Sequence, residues 1–331
     1  MKNFRLVLIL TLSLAISLFG IALSITFDLL PIHTTGLATI HVGSYPVGIA
    51  VNPNTNVVYV ANNNSELISV INGSNNKVVG EIKVGNGPVG IAINPITNMI
   101  YVTNYYANSV SVIDGLTNSV LHTIPIAETP WGIAINPETN MIYVTSVFAN
   151  TVSVINGSTN EVVNTIFTNR PWAVAVNPVT NTVYATNQNS LNFTVINGST
   201  NTSSSIKISN DPYRFTRGIA VNSDSNMIYV SKADFVSVID GTKNLHVTDI
   251  VVGKNPIGIV IDPFNNYIYV ANAVSGTVSK IDGSKNNVTN SIKVGNYPIQ
   301  LSINPRTGTV YVSNEYSDSV SVIQIGSKTS S

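Results

Sequence analysis

The sequence predicts an all-β fold made of seven copies of one unit. Three observations carry this prediction. A Tyr-Val-small-Asn pattern returns every 40 to 45 residues, each copy consists of short Val-, Ile- and Tyr-rich runs between turn residues, and the two ends of the array complement each other. Four strands in a unit of this length are typical of a β-propeller, in which each copy forms one blade. The repeated tyrosines are Tyr59, Tyr101, Tyr143, Tyr184, Tyr229, Tyr269 and Tyr311.

The second copy shows the strands of a blade in order. Residues 88–95 read PVGIAINP, residues 99–104 read MIYVTN and residues 109–115 read SVSVIDG. Asn-Pro, Thr-Asn and Asp-Gly bound these runs, and such residues favour tight turns between antiparallel strands. A fourth strand is expected after each Asn/Asp-Gly turn. The runs are continuously apolar rather than alternating, which is expected where both faces of a strand are buried between blades.

The ends of the array predict a closed ring. The Asn/Asp-Gly turn is absent after Ile323, so the seventh copy lacks its fourth strand. A spare run at residues 37–43, LATIHVG, matches the fourth-strand sequence SIKVG at residues 291–295. Pairing this run with the last copy would complete a seventh blade and leave no open edge between the first and last blades.

The repeat resembles a known family. The string Tyr101-Val102-Thr103-Asn104 is similar to the YVTN family of β-propeller repeats, and the resemblance covers about residues 37–325. Ser146 and Lys232 replace the Asn in two copies, and Ala185 replaces the Val in another. The family implies an archaeal or bacterial surface or exported protein, but propellers serve many functions and the resemblance names no ligand. Asn-Pro-x-Thr-Asn stretches that support it begin at Asn52, Asn94, Asn136 and Asn177.

The N-terminus predicts export or anchoring. Lys2 and Arg5 precede an uncharged apolar segment at residues 6–25, which is long enough to cross a bilayer core. A cleavable signal peptide is the alternative, because Ala22 and Ser24 form a small-x-small pair. The predicted organisation is therefore a signal-anchor or signal peptide at 1–25, a linker at 26–36, the propeller at 37–325 and a tail at 326–331. Both alternatives place the propeller outside the cytoplasm.

Composition excludes several chemistries. The chain has no cysteine, which rules out disulfides, thiolate metal sites and Cys nucleophiles. Its formal net charge is zero and it has no basic run, so no nucleic-acid partner is expected. His41, His122 and His246 fall on or near the predicted outer strands, far from the axis where propeller enzymes hold their ligands. No catalytic residue, metal site or cofactor is therefore predicted.

The candidate binding residues are those that break the repeat on one face. The loop leading into the first strand and the loop after the second strand should reach the same face of the ring. Between Pro212 and Gly218 the fifth copy carries an insertion in the first of these loops. Arg170, Lys232 and Lys254 would make one side of this face basic, whereas Glu66, Glu315 and Asp318 would make the other acidic. The candidate ligand-binding residues are Tyr105, Tyr106, Trp131, Arg170, Trp172, Tyr213, Arg214 and Arg217.

The sequence thus favours an extracytoplasmic recognition module for a glycan, a peptide or a small anionic ligand. A propeller-type lyase or lactone hydrolase is one alternative, and a structural component of a surface layer is another. Trp131 and Trp172 also have a second interpretation, in which they pack between adjacent blades and contact no ligand.

Overall fold

The strands form seven sheets arranged as the blades of a propeller. A computed structural model describes residues 37–188, 190, 192–207 and 215–325. Within them, seven four-stranded antiparallel sheets follow the chain from the innermost strand outwards, which confirms the predicted fold class. The expected N-terminal helix, linker and tail, together with Tyr213 and Arg214, lie outside the described residues. None of the helices within the described part of the chain has the length and hydropathy to span a bilayer.

The innermost strands contact one another around the axis. They are β2 (Pro46–Asn52), β6 (Pro88–Asn94), β10 (Pro130–Asn136), β14 (Pro171–Asn177), β18 (Thr216–Asn222), β22 (Pro256–Ile261) and β26 (Pro298–Asn304). The second strands are β3 (Val57–Asn62), β7 (Met99–Asn104), β11 (Met141–Ser146), β15 (Thr182–Asn187), β19 (Met227–Lys232), β23 (Tyr267–Asn272) and β27 (Thr309–Asn314).

The third and fourth strands complete each blade. The third strands are β4 (Leu67–Asn72), β8 (Ser109–Asp114), β12 (Thr151–Asn156), β16 (Asn192–Asn197), β20 (Phe235–Asp240), β24 (Thr277–Asp282) and β28 (Ser319–Gln324). The outer strands are β5 (Lys77–Lys83), β9 (Ser119–Pro125), β13 (Glu161–Phe167), β17 (Ser203–Lys207), β21 (Leu245–Val251), β25 (Asn287–Lys293) and β1 (Leu37–His41). A single 3-10 turn, Glu315–Ser317, precedes β28 within the described residues.

The ring closes through its first and last strands. β1 pairs with β28 in the register Leu37 to Ile323, and Ile40 is buried against Tyr311 and Val320. The N-terminal strand therefore supplies the outer strand of the seventh blade, as the sequence predicts. Without β1, the outer side of β28 would be an unpaired strand edge, and the pairing covers it.

The core lies between neighbouring blades. Each repeated tyrosine of the second strands is at most 1% exposed, and Tyr59 packs against Ile100 and Ile113 of the next blade. The outer strands instead bury a single isoleucine each, such as Ile82, and leave the rest of the strand to solvent. Continuous apolar runs thus occur where both faces of a sheet are covered.

An asparagine belt joins the blades on the lower face, defined as the end of the ring where the innermost strands finish. In six blade pairs, an Asn side-chain Nδ2 donates to the Oδ1 of an Asn in the following blade over 2.6 to 2.8 Å. The accepting asparagines all adopt left-handed backbone, which Asn tolerates better than most residues. The donor and acceptor pairs are Asn52–Asn98, Asn94–Asn140, Asn136–Asn181, Asn177–Asn226, Asn222–Asn266 and Asn304–Asn56.

The belt changes between blades six and seven. Asp262 takes the donor position and Gly308, with φ of 60°, takes the acceptor position. A carboxylate cannot donate, so Asp262 cannot make the hydrogen bond that an Asn donates to the next blade in the other seams. Asp262 instead accepts hydrogen bonds from the backbone N–H of Phe264 and the side-chain amide of Asn265.

Candidate functional site

Seven residues, one from each blade, occupy an equivalent position at the upper end of the innermost strands. The upper face is the end of the ring where the innermost strands begin, and the pairing of Pro46 with Asn62 shows that both predicted loops reach it. The position after the leading Pro, or after Thr216 in blade five, is equivalent in every innermost strand. We call these seven positions the mouth ring, and they are Val47, Val89, Trp131, Trp172, Arg217, Ile257 and Ile299.

Hydroxyl groups of the second strands hold the mouth ring in place. The Thr103 hydroxyl donates to the carbonyl oxygen of Trp131 at 2.9 Å, and the Thr145 hydroxyl donates to that of Trp172 at 2.7 Å. In the next seam, the Thr186 hydroxyl donates to the carbonyl oxygen of Arg217 at 2.8 Å. Each bond links two blades, so the backbone beneath the tryptophans and Arg217 is fixed by the same device.

Four aromatic rings form a continuous row from the rim to the mouth. We call Tyr106, Tyr105, Trp131 and Trp172 the aromatic row. Tyr105 meets Tyr106 and Trp131 edge-on, with ring centroids 5.0 and 5.8 Å apart. The Trp131 and Trp172 rings lie 4.2 Å apart at a tilt of 33°. Gly87 lies beneath Tyr106, where an added Cβ would collide with the ring.

Both tryptophans are half-buried. Trp131 packs against the apolar cluster at the mouth, as the packing interpretation expects. Each indole nevertheless remains partly exposed on the upper face, as the binding interpretation requires. The tryptophans therefore contribute to inter-blade packing and to the accessible surface at the same time.

Arg170 lies at the end of the loop that leads to Trp172. Its guanidinium carbon is 5.5 Å from the centroid of the Phe148 ring, and its Nη2 donates to the Gln188 side chain at 3.5 Å. Its Nε is buried without a hydrogen-bond partner, and it forms no ion pair with any described residue. The residue also adopts left-handed backbone, with φ of 44°. A cation is thus presented beside the aromatic row with incomplete hydrogen bonding.

Arg217 is the charged member of the mouth ring. Thr216 pairs with Lys232 in the register that Pro46 and Asn62 occupy in blade one, so Thr216 stands at the proline position of blade five. The extra residues of the insertion therefore precede β18, and Arg217 is equivalent to Trp131 and Trp172. No acidic side chain in the described part of the chain pairs with its guanidinium.

Lys232 does not belong to the exposed surface, contrary to the sequence-based charge pattern. Its side chain is 4% exposed and its Nζ lies 3.7 Å from the Asp249 carboxylate on outer strand β21. Asp249 also accepts hydrogen bonds from Ser237 at 2.6 Å and from His246 at 3.0 Å. Burial acts to raise the pKa of Asp249, but these hydrogen bonds and the lysine charge outweigh it and hold the pKa below its ordinary value. This cluster joins strands within blade five.

Glu66 has a cationic neighbour on an outer strand, because its carboxylate lies 3.6 Å from Nζ of the exposed Lys83. Because Lys232 is buried, the basic side of the upper face consists of Arg170, Arg217 and the exposed Lys254 among the described residues. The acidic side retains Glu315 and Asp318. Sequence position alone could not reveal these pairings, since each partner comes from an outer strand.

The cavity below the mouth ring is mainly aliphatic. It has a volume of about 200 Å³ and is lined by the innermost strands, with Trp131 at its upper end and Gln300 contributing a side-chain amide. Across the described residues, no group of three or more His, Asp or Glu side chains is arranged to hold a metal ion.

Comparisons with known proteins identify the fold. No protein-family profile matches the chain, and no curated protein matches it in sequence. Among solved structures, the chain is similar to Kuenenia stuttgartiensis hydrazine synthase, with a TM-score of 0.77 and 21% identity over 86% of this chain and 97% of that one. At this level of identity the similarity establishes a shared β-propeller fold and leaves the activity of this chain to be argued from its own residues.

Proposed function

We propose that this protein is a non-catalytic recognition propeller of the YVTN type that acts outside the cytoplasm. Its ligand would lie on the upper face, over the mouth ring and the aromatic row. The N-terminal Lys2, Arg5 and the apolar residues 6–25 support export or anchoring. A protease added to intact cells should therefore digest the propeller, whereas protection until lysis would contradict the location.

The ligand chemistry follows from the pairing of aromatic rings with unpaired cations. Trp131 and Trp172 offer a large rigid surface of the kind that anchors ligands in binding sites. Arg170 lies two residues before Trp172, Arg217 occupies the next position of the mouth ring, and neither has a described acidic partner. We therefore assign an anionic saccharide to this site, with a sugar ring on the indoles and a carboxylate or sulfate group at the arginines.

The observation that carries the proposal is the incomplete hydrogen bonding of Arg170. A buried donor without a partner is costly, and an anion at this position would satisfy it. The left-handed backbone of the same residue adds to this cost. An arginine with both features contributes little to folding, which favours a role in binding.

The two tryptophans provide a direct assay, because the chain contains only these two. Full-length protein is titrated with oligogalacturonate and, in parallel, with an uncharged dextran while intrinsic indole fluorescence is recorded. We expect a saturable change with the acidic saccharide and a much weaker one with dextran. Arg170→Gln should weaken binding by about tenfold, in line with the loss of one charge-assisted contact.

The matched control is Lys83→Gln, which removes a cation that is already paired with Glu66 on an outer strand. It should leave the titration unchanged. Equal binding by the Arg170→Gln variant, or a fluorescence change with dextran as large as that with the acidic saccharide, would contradict an anionic ligand. A response to anionic peptides alone would replace the saccharide with a peptide.

A further inference from the structure

A second aromatic group occupies the opposite side of the upper face. Tyr45 of blade one and Tyr297 and Tyr316 of blade seven form what we call the tyrosine trio. The Tyr297 and Tyr316 rings stack with centroids 4.4 Å apart, and Tyr45 meets Tyr316 edge-on at 5.6 Å. Tyr316 is 56% exposed and Tyr45 is 37% exposed, so ring surface remains available to a ligand.

Two members of the trio are held in unfavourable backbone conformations. Tyr45 and Tyr297 both have φ of 56°, in the left-handed region. The equivalent positions of blades two and six carry Gly87 and Asn255, which adopt this conformation at little cost, whereas blades three and four carry Thr129 and Arg170 with φ of 58° and 44°. A bulky aromatic residue here costs about 1 kcal/mol or more, and the turn itself does not require one. Strain of this kind is concentrated at functional sites.

An unpaired carboxylate lies beside the trio. The Glu315 backbone N–H donates to the Tyr297 carbonyl oxygen at 3.0 Å, which fixes the residue next to the stacked rings. The half-buried carboxylate forms no ion pair with any residue that the structure describes. Burial raises the pKa of the Glu315 carboxyl above its ordinary value, because the ionised form loses hydration there.

The charged groups near the trio supply no positive partner for Glu315. Asp318, three residues further on, uses its Oδ1 to accept the Tyr45 backbone N–H at 2.9 Å, so it is already engaged. The negative charge of Glu315 also raises the pKa of Tyr316. The trio therefore lies in a locally negative environment to which no described cation is bound.

We propose that the tyrosine trio and Glu315 form a binding site for a small organic ammonium group. Aromatic faces attract cations, and the attraction is greatest for weakly hydrated alkylammonium ions. The carboxylate would supply the opposing charge, and a bound cation would relieve the unfavourable burial of that charge. This site has the opposite charge preference to the aromatic row and shares none of its residues, so it extends the protein beyond the saccharide-binding function.

The probe is tetramethylammonium, observed through its methyl proton resonance while full-length protein is added at constant ionic strength. We expect saturable binding to the native protein. Tyr316→Leu should weaken it by about tenfold through the loss of the ring, and Glu315→Gln by a similar factor through the loss of the charge. Tyr316→Phe should bind almost as well as the native protein, because it keeps the aromatic face.

Glu66→Gln is the matched control, since it removes a carboxylate elsewhere on the upper face that is already paired with Lys83. It should leave binding unchanged. The proposal fails if the native protein shows no saturable binding, if sodium at equal concentration displaces the probe completely, or if both Tyr316→Leu and Glu315→Gln bind as the native protein does. Because Trp131 and Trp172 are untouched, these outcomes are independent of the saccharide titration.

Discussion

The lower and upper faces of the ring are built from the same seven copies but treat them differently. On the lower face, six of the seven seams carry the same Asn–Asn hydrogen bond. On the upper face, the mouth ring holds Val, Ile, Trp and Arg at one equivalent position. The copies keep the same residue where its side chain makes the contact between blades. They vary at the mouth ring, where hydrogen bonds to the backbone make that contact and the side chain is free to differ.

The largest expected effect concerns ring closure, the pairing of β1 with β28 that joins the two ends of the chain. Ile40→Asp places a carboxylate among Tyr311, Val320 and the rest of the buried cluster at the seam of the two chain ends. We expect a loss of about 3 kcal/mol or more in the free energy of unfolding, measured by urea denaturation. Thr39→Asp on the exposed side of the same strand is the control, with a change within about 0.5 kcal/mol. Similar losses in both variants would contradict closure through β1.

The second prediction concerns Asp249 of blade five, which should contribute to the stability of the fold through its ion pair with Lys232. Asp249→Asn leaves the buried Lys232 ammonium without its counter-charge and should cost about 2 kcal/mol at neutral pH. This is below the range for fully buried pairs because Asp249 is 37% exposed. Lys232→Met should cost much less, since it removes the buried charge itself.

The same pair gives a pH dependence of known sign. The pKa of Asp249 is lower in the folded protein than its ordinary value of 3.8, so the stability that it contributes is present above 3.8 and is lost as the pH falls through the folded pKa. The stability difference between native protein and Asp249→Asn should therefore shrink in acid. A difference that grows as the pH falls below 3.8 would contradict the ion pair.

The third prediction tests the asparagine belt. Asn136→Ala removes a hydrogen bond of 2.8 Å to Asn181 and leaves buried polar atoms unpaired, so it should cost about 1.5 kcal/mol. Binding on the upper face should not change. Loss of saccharide binding without loss of stability would contradict the assignment of stability to the lower face and binding to the upper face.

The irregular seam supplies a double-mutant cycle for the belt. Asp262→Asn together with Gly308→Asn would restore the pair found in the other seams. We expect a favourable coupling of about 1 kcal/mol between the two substitutions, because the Asn–Asn hydrogen bond of the other seams can form only when both are present. A coupling near zero would show that the belt contributes no inter-blade energy at this seam.

The smallest expected effect has the opposite sign. Arg170→Asn should raise the free energy of unfolding by about 0.5 kcal/mol, because Asn tolerates left-handed backbone better and removes the unpaired Nε. The same variant should bind the acidic saccharide more weakly. Thermal denaturation and the fluorescence titration measure the two effects. A less stable variant would show that Arg170 contributes to the stability of the fold.

Much of the fold is visible in the sequence because the repeat reports one contact pattern seven times. The missing turn after Ile323 and the spare strand around Ile40 predict closure without any tertiary information. Trp131 and Trp172 are also found from sequence, since they interrupt a position that is otherwise aliphatic or Arg. The repeat therefore identifies both the strands of the blades and the residues, such as Trp131 and Trp172, that differ from the common pattern.

The charge pattern could not be predicted in the same way. Lys232 stands in a loop-facing position of the repeat, but its partner Asp249 lies two strands further out, and only the pairing of β20 with β21 brings it near. The tyrosine trio was not among the candidate binding residues, for another reason. Its signal is the presence of Tyr45 and Tyr297 where Gly87 and Asn255 stand in other copies, and this requires knowing that the position is left-handed.

Closure by β1 also sets the order in which the protein can mature. Blades one to six complete themselves from hairpins that are local in the chain, whereas β1 must wait for β28. At about 5–20 residues per second of synthesis, that wait lasts tens of seconds. During it, β1 has no pairing partner in its own chain, and pairing between distant segments is slow to form. Chains made at high concentration would therefore be prone to exchange this strand, giving dimers in which the β1 of one chain completes the seventh blade of its neighbour.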